Sequence, residues 1–328
     1  MQNSPLRTAL VTGAEGFIGS HLVRHLQTSG WNVVGSCLSS AESSSQIPGV
    51  RLVECDLRDA ERVAWLLAQY APTHVFHLGA QSSPARSRLD PVETFESNVL
   101  GSLHLLEAVR RQPRPPLVVL ACSSAEYGHV GRSAIPTRET QALEPLHPYG
   151  ISKVCLDLMS RYYFLDCGVR TVRLRVFNTT GPGKINDAPS DFIRQLVRIK
   201  QGRQPAVVTT GNLSPRRAFL DVRDAVKGLH LAALRGKAGE VYNLCAPRTY
   251  TIRGLLKTAM RLAGVQARIQ TSPRLLRPHD EKIIFGSSEK FSRRTGWKPA
   301  EQLEGTLVSM LRYWSERNDS PRTESGAK

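Results

Sequence analysis

Tyr149 and Lys153 stand four residues apart in Tyr-Gly-Ile-Ser-Lys. That spacing puts a phenol and an ammonium on one face at the start of a helix. A phenol with an ordinary pKa near ~10 is a poor acid or base at neutral pH. A neighbouring cation favours the phenolate and brings proton transfer into working range. Ser123, just past the apolar run Leu117–Cys122, offers a hydroxyl to bind a reacting oxygen. The Tyr–Lys spacing alone is common by chance, so its meaning depends on the elements around it.

A second constellation lies near the N-terminus. The run Thr8–Thr12 leads into Gly13-Ala-Glu-Gly16-Phe-Ile-Gly19, followed by residues in helical period. Gly13 permits a tight turn, Gly16 lets the backbone approach a pyrophosphate, and Gly19 lets the helix pack on the strand. The helix N-terminus then offers its N–H groups to the anion. Strand before and helix after are the context that makes this a dinucleotide-binding loop. A nicotinamide held there adds its own positive charge to that of Lys153, and Ser123, Tyr149 and Lys153 become a catalytic set. The second strand ends in Gly35-Ser36-Cys37-Leu38-Ser39-Ser40, with neither acid nor arginine. Nothing there excludes a 2′-phosphate and Ser39 or Ser40 can hydrogen-bond it, so NADP is favoured, with NAD possible. Asp56-Leu57, closing the third strand, is placed to touch the adenine or is an ordinary turn.

The elements that must position these residues alternate along the first half. Strands are expected at Thr8–Thr12, Asn32–Ser36, Arg51–Cys55, His74–Leu78, Leu117–Cys122 and Thr171–Phe177. Amphipathic helices fall between them, near Phe17–Ser29, Asp59–Gln69, Pro91–Arg111 and Pro148–Asp166. Apolar strands separated by helices predict an α/β fold, a doubly wound parallel sheet of Rossmann type covered on both faces. After Asn178 the rhythm changes. Helices are expected near Ser190–Gln201, Val222–Leu234, Thr251–Ala263 and Glu301–Glu316, with a strand at Glu240–Cys245. The division is a dinucleotide-binding domain over 1–178, to which 222–246 returns. A smaller C-terminal substrate lobe takes 179–221 and 247–317, and 318–328 is a polar tail.

The 328 residues carry 44 Lys+Arg against 28 Asp+Glu, a formal charge of +16. The cations are scattered, and the pairs Arg216–Arg217 and Arg293–Arg294 lack the interleaved aromatics of a single-strand binder. The charge therefore reads as a solvated basic surface or as attraction for a polyanionic small substrate, not as a nucleic-acid site. No apolar run approaches the ~20 residues of a membrane span. The first strand starts too early to leave room for a secretory leader. The six cysteines show no CxxC spacing and read as reduced side chains of a cytoplasmic protein. His74 and His77 on a buried strand, and His21 and His25 on one helix face, read as structural, with no metal site expected.

Together, TGAEGFIG (12–19), DLRD (56–59), HLGAQSS (77–83), SSAEYG (123–128) and YGISK (149–153) resemble the extended short-chain dehydrogenases acting on nucleotide sugars. The resemblance runs from about Thr8 to about Trp314. It implies cofactor contacts from Phe17, Ile18, Leu78, Ala80, Gln81 and Asn98 besides the glycines, Ser39, Asp56, Leu57 and the catalytic pair. It also implies homodimers through a four-helix bundle from the helices near 91–111 and 148–166.

RVFNTTGPGK (175–184), SDFIRQL (190–196), GNLSPRRAFLDVRD (211–224) and RPHDEKIIFGSSEKFSRRTGWKP (277–299) look like the branch of GDP-mannose 4,6-dehydratase and GDP-4-keto-6-deoxymannose reductase. On that resemblance Asn178, Arg217 and Arg277 grip the nucleotide diphosphate, and Ser124 and Glu126 meet the substrate. Arginine suits phosphate through bidentate donation. Dehydration across C5–C6 needs a carboxylate two positions after the active-site hydroxyl residue; this chain has Ala125 there, with Glu126 one position late. On an extended segment Glu126 points the other way, unless a bulge turns it. The expectation is a reductase of a GDP-4-keto-6-deoxyhexose, with a dehydratase or a nucleotide-sugar 4-epimerase as the alternatives.

Overall fold

The computed structural model describes residues 7–39, 48–276 and 281–317. Seven strands form one wholly parallel sheet: β1 (Thr8–Thr12), β2 (Asn32–Cys37), β3 (Arg51–Glu54), β4 (His74–His77), β5 (Leu117–Ser123), β6 (Thr171–Val176) and β7 (Val241–Leu244). Their order is β3-β2-β1-β4-β5-β6-β7. The chain winds outward from β1 to β3, then restarts at β4 on β1's other side. The crevice beyond the carboxyl ends of β1 and β4 is the switch point where such sheets bind ligands.

Both faces of the sheet are buried. Ala9 and Val11 of β1 join one core with Phe76 and Val119, whereas Leu10 joins another with Val75 and Val118. That alternation is the period of two expected of a strand. The first core is covered by α1 (Phe17–Thr28) and α6 (Val222–Arg235). The second is covered by α2 (Ala60–Tyr70), α3 (Gly101–Arg110) and α4 (Pro148–Leu165). A third core joins α5 (Ala188–Lys200), α7 (Ile252–Ala263) and α8 (Leu303–Ser315) through Phe192, Leu196, Leu255, Leu256, Leu307 and Met310.

Every strand of the large sheet ends within one residue of its sequence expectation. Beyond the short strands of the second lobe and a helix at Pro84–Leu89, two features differ. The single helix expected over 91–111 is a short helix Pro91–Phe95, a π-helical turn Glu96–Leu100, and then α3. The segment after the small strand Ile283–Ile284 departs from the expected lobe boundary. Its helix Glu289–Thr295 packs Phe291, with Trp297 beyond it, into the first core rather than the third. Trp297 Nε1 donates to the carbonyl of Asp224 (3.1 Å), and the Asp224 carboxylate accepts the N–H groups of Ala300 (2.9 Å) and Glu301 (2.8 Å).

Candidate active site

The loop from β1 to α1 is shaped by what its glycines lack. Gly13 has φ +64, and a Cβ there would lie 2.8 Å from Gly79 Cα. A Cβ on Gly19 would lie 2.0 Å from the Gly13 carbonyl oxygen. Gly16 starts α1 in an extended conformation, with its N–H on the Gly13 carbonyl (3.0 Å). The first N–H groups of α1 thus face the crevice without partners inside the helix. A dinucleotide pyrophosphate fits this cradle, with Phe17 and Ile18 in the first helical turn.

A hydrogen-bonded chain ties the cradle to the catalytic helix. Thr12 Oγ1 accepts from the N–H groups of Leu78 (3.1 Å) and Gly79 (3.0 Å) and lies 2.9 Å from His77 Nδ1. Two donors on the hydroxyl direct its own hydrogen to Nδ1, which leaves the ring hydrogen on Nε2, 2.9 Å from Ser102 Oγ. Burial pushes the His77 pKa down to about 3, so the ring stays neutral. The Ser102 hydroxyl then donates to the Asn98 carbonyl. Asn98, buried in the π turn, accepts from Gln81 N–H (2.7 Å) and donates to the Gln81 carbonyl (2.9 Å) and Ser152 Oγ (2.9 Å). Ser152 in turn donates to the Tyr149 carbonyl (2.8 Å). Asn98 and Gln81 therefore act as a brace between the Leu78–Ala80 turn and the start of α4.

Helix α4 begins at Pro148, capped by His147 Nδ1, which accepts from Gly150 N–H at 3.0 Å. Gly150 is needed for close approach, since a Cβ there would lie 2.7 Å from the Ala125 carbonyl oxygen. This brings Tyr149 against the end of β5, with its phenol beside the Ser123 hydroxyl. Burial pushes the Tyr149 pKa up to about 12, while the neighbouring Ser123 hydroxyl pulls it the other way. The buried Lys153 ammonium donates to the Ala121 carbonyl (3.0 Å) and lies 5.9 Å from the centre of the Tyr149 ring. Burial lowers the Lys153 pKa. Ser123, Tyr149 and Lys153 thus meet at one point above the sheet.

Glu126 is turned away from that point. Residues Ser124–Glu126 form a 3-10 turn after β5, and Glu126 Oε1 accepts the Ser123 N–H (2.7 Å) in a capping box. Its other oxygen lies 3.1 Å from Arg175 Nε, and the residue is 0% exposed. Arg175 Nε also meets Asp157 at 3.0 Å, and Arg173 pairs with the same aspartate at 2.7 Å. The expected substrate contact from Glu126 is therefore corrected: no bulge turns it outward, and it anchors the turn beneath the site. Ser124 stays half-buried beside it. Burial and Asp157 hold the Glu126 carboxyl well above its usual range, with Arg175 opposing. Cys122 brings its thiol within 4.8 Å of the Glu126 and Asp157 oxygens, but the Arg175 guanidinium already supplies a cation to both carboxylates.

At the adenosine end, the Asp56 carboxylate is held by Arg58 (2.6 Å), which lowers its pKa. Leu57 is buried, and its carbonyl accepts from His104 (3.0 Å). Ser39 lies two residues beyond β2. At the substrate end, Asn178 Nδ2 donates to the Ala218 carbonyl (3.4 Å), next to Arg217 in the short strand Arg216–Arg217. Arg217 Nη1 donates to the Glu281 carbonyl (2.6 Å), so this guanidinium is tethered on the rim formed with Ile283–Ile284. Arg277 and Ser40 lie outside the described residues.

Residues 10–310 match the sequence profile of the GDP-mannose 4,6 dehydratase family. The chain belongs to that family. Within the family's wider relations, a GDP-6-deoxy-D-mannose reductase of Pseudomonas aeruginosa is 29% identical over 311 residues, covering 94% of this chain and 97% of that protein. A UDP-glucose 4-epimerase of Lacticaseibacillus casei is 26% identical over 327 residues, covering 95% and 97%. The structure of RMD from Pseudomonas aeruginosa complexed with NADPH matches with a TM-score of 0.83 at 28% identity, covering 94% of this chain and 99% of that one. The Thermus thermophilus UDP-glucose 4-epimerase complex with NAD matches with a TM-score of 0.83 at 29% identity, covering 94% and 98%. This is an enzyme of the extended short-chain dehydrogenase type, and its glycine cradle suits the NAD(P) of such enzymes.

Local sequence pattern does not reveal the hydrogen-bonded chain through His77 or the Arg175–Asp157 pair. Two arginines inside an otherwise apolar strand, Arg173 and Arg175, were the available signal, since buried charge demands buried partners.

Proposed function

We propose that the protein reduces a GDP-4-keto-6-deoxyhexose, GDP-4-keto-6-deoxy-D-mannose, at C4 with NAD(P)H to a GDP-6-deoxyhexose such as GDP-D-rhamnose. The observation that carries this reading is the fate of Glu126. Dehydration needs a carboxylate facing the sugar beside Ser123, and the carboxylate whose field both Tyr149 and Lys153 feel is sealed against Arg175. The identity to a GDP-6-deoxy-D-mannose reductase supports the same choice.

Bound NAD(P)H supplies the hydride. The chain does the rest: Ser123 holds the C4 oxygen, Tyr149 delivers a proton to it, and Lys153 favours the phenolate left behind. The tyrosine's high resting pKa suits the donor role, because the phenol stays protonated until the oxygen becomes basic. Asn178, Arg217 and Arg277 bind the diphosphate of the substrate, with Ser124 at its sugar.

We read the working unit as a cytoplasmic homodimer. The six cysteines are unpaired. Ile151, Leu158 and Leu165 are exposed at heptad spacing on α4, with Tyr162 beside them. Leu89, Val92 and Leu100 add further exposed apolar surface. A hollow of about 390 Å³ lined by Pro91, Val92, Phe95, Glu96, Val99 and Leu100 has almost wholly apolar walls. Apolar surface of this extent marks a protein interface.

The test is to offer GDP-4-keto-6-deoxy-D-mannose with reduced nicotinamide, and GDP-mannose separately. Reduction of the first without dehydration of the second is expected; formation of a 4-keto sugar from GDP-mannose would favour the dehydratase. A 4-epimerase, the activity named for several relatives, would carry tightly held NAD through purification and leave no net change in the cofactor.

A further inference from the structure

β2 ends without an acidic residue, yet a carboxylate sits at its end. Glu15, in the middle of the glycine loop, reaches across so that Oε1 accepts the N–H of Leu38 (3.1 Å), one residue past β2. Its second oxygen, Oε2, is shut off from solvent and has no hydrogen-bond partner among the described residues. A buried carboxylate oxygen without a donor is costly, and such an atom in a native site calls for a ligand that donates to it.

The position identifies the donor. In this fold the carboxyl end of the second strand faces the adenosine ribose, where a carboxylate bonds the ribose hydroxyls. Resting on the dinucleotide reading of the glycine loop, we propose that Glu15 receives the ribose hydroxyls of the cofactor and selects NAD(H) over NADP(H). A 2′-phosphate there brings ~1.5–2 negative charges against the carboxylate and has no hydroxyl hydrogen to give Oε2.

Among the described residues, the cations near the end of β2 are few and already engaged. No lysine or arginine occurs from His25 through Val50. Arg58 is engaged by Asp56 through Nε and Nη2. Arg62 donates from Nε to the Glu54 carbonyl (2.9 Å), and its guanidinium lies over Trp65, 4.1 Å from the ring centre. The residues after β2, taken alone, leave room for either cofactor; the loop supplies the discriminating charge.

The experiment is to measure the Kd of NADH and of NADPH by nicotinamide fluorescence for the full chain and for Glu15→Gln. Wild type is expected to favour NADH by at least about tenfold, the scale of a like-charge clash in a closed site. Gln keeps an acceptor for Leu38 N–H and removes the charge. Glu15→Gln should therefore narrow the ratio at least about fivefold, mainly through tighter NADPH binding. A role limited to holding the loop would weaken both dinucleotides together and leave the ratio unchanged, which overturns the proposal. Preference of the wild type for NADPH overturns it too. Binding of neither dinucleotide would overturn the dinucleotide reading itself, and this proposal with it.

Discussion

In the proposed reaction Tyr149 carries the proton from the start of α4, beside Lys153, so removing its hydroxyl should leave cofactor binding nearly intact. Tyr149→Phe should lower kcat by ~10²–10⁴-fold, the usual contribution of a positioned acid. The Kd for reduced dinucleotide should stay within about twofold of wild type, because no hydroxyl contact to the cradle is lost. Turnover near wild-type rates in this variant would remove Tyr149 from the donor role. At this scale the sequence was most informative where a residue type and its spacing carry the chemistry. Ser123, Tyr149 and Lys153 are legible because an i, i+4 pair and a strand end define positions. Glu126 was not: its direction depends on a 3-10 turn whose cap is the glutamate itself. Glu15 was invisible for a related reason, since its partner is a backbone N–H just past the end of another strand.

Among the elements, α4 has two tasks on opposite sides. Its inner side places Tyr149 and Lys153, while Ile151, Leu158 and Leu165 recur every seven residues on the exposed side. If that row is the dimer seam, Leu158→Asp with Leu165→Asp should yield a monomer of normal helical content. Light scattering on the eluting protein checks the mass. A wild-type monomer, or a doubly charged variant that stays dimeric, would place any interface elsewhere. The strands were legible because mostly apolar runs bounded by polar turns leave little choice of register. The π turn at Glu96–Leu100 was not. It arises where Asn98 must satisfy Gln81 and Ser152 together, and where Gly101 lets Leu57 pack close, with a Cβ there 2.9 Å from Leu57 Cβ. The helix Glu289–Thr295 was missed because seven residues carry too few turns for a periodic signal.

The whole molecule carries histidines whose burial couples stability to pH. His74 and His230 are each pushed down to about 4, and His77 to about 3, first by burial and then by neighbouring cations or imidazoles. His25 and His230 share a hydrogen bond (3.0 Å) across α1 and α6, beside Trp31. In the unfolded chain these rings titrate near 6.5. Above that pH both states are neutral and nothing changes. As pH falls below it, the unfolded state takes up protons that the folded state refuses, so stability declines toward pH 4. Glu107, held at about 2 by Arg110 and Tyr163, adds its own loss only below about 4.5. Glu126, held high, works in the opposite sense. The three histidines should therefore make the melting temperature fall as the pH drops between about 6.5 and 4.5. The fall should be shallower in His230→Asn; an unchanged slope would show that the pair is not responsible.

Of the net charge of +16, +12 falls on residues 179–221 and 247–317 against +4 on 1–178 and 222–246, in keeping with attraction of an anionic substrate to that part of the chain. Fold class and crevice could be read from the chain because local rhythm determines them. The division of labour beneath the crevice could not, because Arg173 and Arg175 find their carboxylates on distant segments.

The most direct measurement follows nicotinamide absorbance as the purified protein meets GDP-4-keto-6-deoxy-D-mannose and NADH or NADPH. Loss of one reduced nicotinamide for each GDP-6-deoxyhexose formed is the predicted result. Cofactor binding with no oxidation of the nicotinamide would contradict the reductase account and return Ser123, Tyr149 and Lys153 to a dehydratase or an epimerase.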